Sequence, residues 1–269
     1  SRLAYDLESL LSPAIAAALL TVVSYHDLFV GTAIGFAGSI AFVLLARLPA
    51  VAATTSGLPF WGRLREGAEV FARTKTLWFL MCANVAVAAG TALVMVNTVV
   101  YVRGVMNRDD SALGLALACY GMGSLLVAVA TPWVVERIGV IRTMSAGIAV
   151  TVISLSAAVV VTVTVQSSGT GWGWLLGTWF ALGIGTSLIN TPSSRLLADA
   201  STDRNRNLVY TAQFALSHAC FLLTYPIAGL LGASSLTFAA SALAAIAVLA
   251  AIAATVVAKR EQGLTSRPR

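Results

Sequence analysis

The sequence predicts an all-α integral membrane protein with eight transmembrane helices, and three observations support this fold class. Hydrophobic residues make up 58% of the 269 residues and charged residues only 10%, whereas about 25% charged residues is usual in soluble domains. Eight apolar segments follow one another, most of them close to the ~20 residues that a helix needs to cross a bilayer. Their apolar residues are continuous and do not alternate with a period of two, which favours helices over a barrel.

The eight segments are separated by short polar connections, and their ends are approximate. A charged turn at Glu136–Arg142 divides two long apolar runs, which is typical of two spans joined at a membrane surface. The predicted transmembrane helices cover about residues 7–24, 28–46, 77–102, 112–134, 141–165, 172–194, 208–231 and 235–258.

One long polar connection, residues 47–75, lies between the second and third predicted helices. Within it, Trp61, Leu64, Ala68 and Phe71 recur at helical spacing, and charged residues fill the other positions. This pattern predicts an amphipathic helix in the plane of the membrane interface. A solvated linker helix remains the alternative.

The basic residues are distributed as the positive-inside rule requires. If the first helix starts in the cytoplasm, all but Arg103 and Arg108 of the 17 Lys and Arg residues fall in cytoplasmic segments. We therefore predict a multi-pass protein of the cell (plasma or inner) membrane with a cytoplasmic C-terminus. The net charge of +6 is explained by this topology, and we expect no nucleic-acid partner.

Residue patterns typical of an enzyme are not found. Cys82, Cys119 and Cys220 lie in apolar runs without CxxC spacing, so we predict neither a disulfide framework nor a metal site. The GMG and GIG sequences lack the strand–turn–helix setting of a nucleotide motif. We expect no catalytic residues, no metal and no cofactor.

The turn PWVVERIGVIR resembles the loop motif G-x-x-x-D-R-x-G-R of the major facilitator superfamily. Arg137 and Gly139 match, Glu136 stands for the aspartate, and Pro132 stands for the first glycine. Val140 departs from the arginine, and Arg142 supplies a basic residue shortly after it. A carboxylate and a guanidinium here can form a charge-assisted pair, and glycine allows the tight turn.

Two further stretches resemble bacterial efflux-type members of this superfamily. SLLSPAIAA is similar to a degenerate antiporter motif, with Ser12 and Pro13 at the Gly-Pro positions and Ala16 and Ala17 at the Gly-Gly pair. Residues 190–232 resemble the tenth-to-eleventh helix region. The resemblance implies that the chain covers helices five to twelve, with the preceding helices of the same protein as partners. It divides the chain into residues 1–46 (end of the N-terminal half), 47–75 (cytoplasmic linker), 76–260 (C-terminal six-helix half) and 261–269 (cytoplasmic tail).

Polar side chains within spans are expensive in lipid and should face a cavity or a neighbouring helix. Because the family's seventh and tenth helices line the transport cavity, the resemblance favours polar residues of the third and sixth spans as cargo contacts. A packing seam between helices is the alternative for the sixth. The candidates are Asn84, Thr91, Asn97, Trp179, Ser187 and Asn190.

His218 is the only deeply placed ionisable side chain from the third span onward. Because histidine titrates near neutral pH, His218 is a candidate for proton coupling or gating; Asp6, at the start of the first span, is a weaker one. A neutral imidazole bonded to a neighbouring helix is the alternative. We thus expect a major-facilitator-type bundle that exports a small molecule or ion in exchange for protons. A divalent-metal (nickel or cobalt) exporter and a non-transporting membrane scaffold subunit are the alternatives.

Overall fold

A computed structural model of the chain describes residues 25–46, 59–164, 171–202 and 205–265, and the regular elements of this part are helical. The helices are α1 Tyr25–Leu45, α2 Phe60–Arg73, α3 Lys75–Ala92, α4 Asp110–Ile138, α5 Val140–Thr164, α6 Gly171–Asp199, α7 Arg206–Ser234 and α8 Leu236–Thr265. Helix α2 is amphipathic, and α3 continues as two π-helical segments, Leu93–Asn97 and Val100–Val105.

Six helices, α3 with its first π-helical segment through α8, are long and apolar enough to span a membrane. They confirm the predicted spans from the third onward. The apolar part of α1, Phe29–Leu45, is shorter than a full span, and the first predicted span lies outside the described residues. The described part therefore supports six of the eight predicted transmembrane helices.

The ends of the spans are set by local chemistry. α4 begins after Asp109, whose carboxylate accepts a hydrogen bond from the backbone N–H of Ala112 (3.0 Å), a typical N-cap. It ends at Ile138, and the next residue, Gly139, has a φ of +83°, a positive backbone angle that residues other than glycine rarely adopt. Because α5 starts at the next residue, Val140, the two helices turn back on each other with a single residue between them.

Helix α6 is the centre of the packing and contacts both α4 and α5 along most of its length. Gly123 of α4 and Gly183 of α6 face each other so closely that a Cβ atom on either would overlap backbone atoms of the other helix. On the other side, α8 packs on α3, α5 and α7. Small residues at such contacts are what helices in lipid need, because close backbone approach gives them their packing energy.

The amphipathic helix predicted between the second and third spans is present as α2. It docks on α7 through Gly67, where a Cβ atom would come within 2.8 Å of the Leu208 carbonyl oxygen. Phe71 is buried on the same side, while Trp61 is 74% exposed. A hydrogen bond from the Trp78 indole to the Ala72 carbonyl oxygen (3.0 Å) joins the end of α2 to α3.

Consecutive spans alternate in direction, so basic side chains gather at one end of the bundle, which we call the basic end. One apolar cluster, which includes Leu77, Met144 and Leu197, lies toward it. A second cluster, which includes Tyr101, Leu155 and Trp179, fills the opposite half. The basic end is defined by Lys75, Arg137, Arg142, Arg195 and Arg206.

Candidate functional site

A cavity of about 430 Å³ lies between α3, α4, α6 and α7. It extends from the half of the bundle nearer the basic end to about the middle. At a rise of 1.5 Å per residue, His218 lies about 18 Å along α7 from Arg206, in a helix about 43 Å long. The lining residues are Asn84, Val87, Thr91, Met95, Tyr120, Ser124, Thr186, Asn190, Ser193, Gln213, Phe214, Ser217, His218 and Phe221.

Hydrogen bonds between side chains of different helices shape two parts of the wall. The Asn84 amide nitrogen donates to the Gln213 side-chain oxygen (3.1 Å), which links α3 to α7. The Tyr120 hydroxyl bonds to the Thr186 hydroxyl (3.1 Å) and lies 3.4 Å from the Thr91 hydroxyl. The cavity thus offers amides and hydroxyls held in place by protein partners.

His218 has one of its two ring nitrogens engaged by its own helix. Nδ1 lies 2.7 Å from the Phe214 carbonyl oxygen, one turn earlier. The imidazole also stacks on the Phe214 ring, with centroids 4.0 Å apart and planes tilted by 32°. The alternative stated above was a neutral imidazole hydrogen-bonded to a neighbouring helix. In the structure, the partner of Nδ1 is instead a carbonyl oxygen of the same helix, α7.

Four of the sequence-predicted residues, Asn84, Thr91, Asn190 and His218, come together in this cavity. The other cargo-contact candidates of the described residues lie elsewhere. Ser187 is buried and donates to the Ser124 carbonyl oxygen (2.9 Å) in the contact between α6 and α4. The candidates on α6 therefore differ in role, because Ser187 packs against α4 while Asn190 lines the cavity.

Asn97 and Trp179 lie in the half of the bundle opposite to the basic end. The Trp179 indole N–H donates to the Thr98 hydroxyl (2.7 Å), and the Tyr101 ring meets the indole edge-on at 5.3 Å. The Asn97 amide donates to the Ala228 carbonyl oxygen (3.1 Å). These contacts tie α6 and α7 to the π-helical continuation of α3. They close this end with fully buried side chains.

Comparison with family models matches residues 80–269 to the Major Facilitator Superfamily. This stretch covers more than two thirds of the chain. It includes α4 to α8 and the larger part of α3, and with them every residue that lines the cavity. The chain belongs to the major facilitator superfamily. Comparison with curated proteins finds no match.

The loop motif expected of a major facilitator protein lies at the basic end, between α4 and α5. Gly139 makes the turn as predicted, and the Pro132 ring lies within α4. The Arg137 guanidinium lies 3.7 Å from the centre of the Trp133 ring, a cation–π contact. Glu136 forms no ion pair with any residue of the described part, so the expected charge-assisted pair is not made in this structure. Arg142 is exposed on α5.

Several residues that line this facilitator's cavity are not among those predicted from the sequence. Gln213 and Ser217 are polar positions within the apolar run of α7, and Ser124 lies one turn after Tyr120 on α4. Polarity within a span was therefore an available signal for them. Phe214 and Phe221 carried no such signal, because an aromatic residue in a membrane span is usually lipid-facing or packed.

The antiporter-like residues Ser12, Pro13, Ala16 and Ala17, together with Asp6, lie outside the described residues. Among the residues that the structure describes, no three His, Cys, Asp or Glu side chains lie close enough to share a metal ion. Cys82, Cys119 and Cys220 are free thiols, and burial is nearly complete for the first and the last.

Proposed function

We propose that the chain is part of a secondary active exporter that exchanges a small molecule for protons by alternating access. The observation that carries the proposal is the cavity with polar lining residues that reaches about the middle of the helix bundle, bounded by four helices and lined by His218. Polar groups at this depth are costly unless they serve a solute pathway or a partner. Major facilitator membership supports transport itself, while export and proton coupling are the proposed refinements.

We assign the six-helix bundle, within residues 76–260, to the C-terminal half of the transporter, and residues 47–75 to the linker. The preceding helices would then complete the cavity on the side that α3, α4, α6 and α7 leave open. The end of the bundle around Trp179 is filled by buried side chains, and the cavity lies nearer the basic end. We therefore interpret the bundle as closed at the end opposite to the basic one. If the basic end is cytoplasmic, the cavity is accessible from the cytoplasm.

An imidazole can both accept and release a proton. His218 is the histidine of the described cavity lining, so we assign the coupling proton to it. In the full-length protein reconstituted into proteoliposomes, we expect an imposed pH gradient to drive solute efflux and an entrapped pH dye to report proton counterflow. His218→Ala should abolish the pH-driven efflux and the proton signal together. Ser234→Ala, an exposed position of α7 outside the cavity lining, is the matched control and should retain both.

Three outcomes would contradict parts of this proposal. Unchanged pH-driven efflux in His218→Ala would reject proton coupling through this residue. Efflux of nickel or cobalt alone would replace the small-molecule cargo by a divalent metal. If a broad panel of uncharged, cationic and anionic compounds produced no flux from the complete protein, a non-transporting membrane subunit would be favoured.

A further inference from the structure

We infer that the cavity selects an uncharged, planar aromatic solute that carries a hydrogen-bond donor, and that His218 Nε2 is the acceptor that selects it. The inference rests on the proposed function, since it names the class of solute that the same cavity would carry. It follows from the tautomer of His218, the aromatic surface of α7 and the charges of the cavity wall.

The tautomer follows from the Nδ1 contact. A carbonyl oxygen can only accept a hydrogen bond, so the 2.7 Å contact with the Phe214 carbonyl oxygen requires the hydrogen on Nδ1. The neutral ring therefore presents Nε2 as a lone-pair acceptor. No described residue bonds to this nitrogen, and His218 is an exposed residue of the cavity lining. A solute with an N–H or O–H group can use it directly.

The aromatic surface is a stripe along α7. Phe214, His218 and Phe221 follow one another at helical spacing in the cavity lining, and Tyr225 continues the stripe beyond it. The His218 and Phe221 centroids are 6.1 Å apart, and those of Phe221 and Tyr225 are 5.4 Å apart. Aromatic rings attract one another in edge-on or offset arrangements at such centroid distances. A flat aromatic solute can therefore pack on the same stripe that holds the Nε2 acceptor.

The charges of the wall disfavour an ionic solute. Among the described residues, α3 and α6 contribute amides, hydroxyls and apolar groups to the cavity, and none of its lining residues is Asp, Glu, Lys or Arg. The other titratable side chain facing it is Tyr120 of α4, bonded to Thr186. The charged groups of α2 lie outside the lining, and α8 contributes no lining residue. Because an ion leaving water needs an opposite charge or many dipoles, an uncharged solute fits this wall best.

The test compares indole with 1-methylindole, two rigid planar probes that differ in the single N–H donor. Binding to the full-length protein in nanodiscs is measured at pH 7.5 by saturation-transfer NMR, with empty nanodiscs subtracted. We expect indole to bind at least about tenfold more tightly, the ratio that a hydrogen bond worth about 1.4 kcal/mol produces. Tryptamine and indole-3-acetate, which add a positive and a negative charge to the same ring, should both bind more weakly than indole.

Variants distinguish His218 from the rest of the cavity. His218→Phe keeps an aromatic ring but removes the acceptor, so the indole preference should fall to about one. His218→Gln, whose side-chain oxygen accepts, should restore part of it. Ser234→Ala, on the same helix but outside the cavity lining, should leave it unchanged. Equal binding of the two probes to the wild-type protein, or a preference that survives His218→Phe, would overturn the inference. So would tighter binding of tryptamine or indole-3-acetate.

Because the readout is equilibrium binding, its failure can be told apart from failure of the proposed function. Selective binding that depends on His218, in a protein without pH-driven flux, would reject the exporter and retain the solute class. Flux driven by a pH gradient, together with equal binding of indole and 1-methylindole, would reject the solute class and retain the exporter.

Discussion

Asp109 shows how one side chain outside the membrane fixes the start of a span. Its carboxylate accepts hydrogen bonds from the Ala112 backbone N–H and the Ser111 hydroxyl (2.8 Å), with Arg108 nearby. These donors, the Ala112 N–H first, favour the ionised form and hold the pKa of Asp109 below its ordinary value. A carboxylate with a lowered pKa stabilises the fold at all pH values above its unfolded pKa.

The sign of the pH dependence follows directly. The contribution of Asp109 should be complete above about pH 4, the usual aspartate range, and be lost as the pH falls through its lowered folded-state pKa. In thermal melts of the purified protein, Asp109→Ala should lower the Tm at pH 7, and the difference from wild type should shrink in strong acid. A difference that grows on acidification would contradict the capping role. Ser111→Ala should show the same trend, but more weakly.

Individual residues also define what the sequence could predict of the site. Asn84, Thr91, Asn190 and His218 could be selected because a polar group within a span needs a cavity or a partner. The same rule selected Asn97 and Trp179, whose partners turned out to be Ala228 and Thr98 on other helices. Polarity alone cannot separate these outcomes, since the separation depends on how each helix is rotated against its neighbours.

At the scale of the element, the contact between α4 and α6 depends on the absence of side chains. A Cβ atom on Gly183 would overlap the Tyr120 carbonyl oxygen, and backbone cannot move aside as a flexible side chain can. We expect Gly183→Ala to lower the free energy of unfolding by about 2 kcal/mol or more, as overpacking typically does. Thermal or denaturant unfolding of the detergent-solubilised protein would measure this change as a lower Tm or a lower denaturant midpoint.

The same helix supplies the control for that substitution. Gly177 has no atom within 4 Å of its would-be Cβ, so Gly177→Ala should be neutral, or stabilising by up to about 1 kcal/mol through helix propensity. Equal effects of the two substitutions would show that helix propensity, and not close approach of α4, governs this position.

Docking of α2 on α7 depends on another glycine. A Cβ atom on Gly67 would meet the Leu208 carbonyl oxygen and the Ala212 methyl group, each at 2.8 Å. Gly67→Val should therefore release α2 from the bundle, and limited proteolysis should then cut after Arg65 or Arg73 at a lower protease concentration. Glu66→Ala, at the neighbouring exposed position, should leave the digestion pattern unchanged. An unchanged pattern in Gly67→Val would argue that α2 is held by other contacts.

The secondary structure of these elements could largely be predicted, whereas their contacts could not. Continuous apolar runs predicted the six spans, and the helical spacing of Ala68 and Phe71 predicted α2. The π-helical segments of α3 left no signal, since Leu93–Asn97 is as apolar as an ordinary span. Which face of α2 docks is decided by Gly67, and a glycine within a helix does not by itself reveal a neighbour.

For the whole molecule, the distribution of charge makes a prediction about sidedness. Arg142 and Arg206 lie at the basic end, and Asp109 and Asp110 lie at the other. In a cysteine-free background, a single cysteine at position 142 and one at position 111 should react with an impermeant thiol reagent from opposite faces of the membrane. We expect position 111 to be labelled in intact cells and position 142 only after permeabilisation. Labelling of both from the same face would contradict the proposed topology.

The uneven packing around α6 has a mechanical consequence. Helix α6 packs along most of its length against α4 and α5 and makes few contacts with α7. Helix α7 packs mainly against α2, α3 and α8. The cavity wall that carries Tyr120 and Thr186 therefore belongs to one tightly packed group of helices. The wall that carries His218 and the neighbouring aromatic rings belongs to another group. We expect an incoming molecule to displace α7 more readily than α6, so the proposed proton exchange at His218 would take place on the wall that adjusts to the solute.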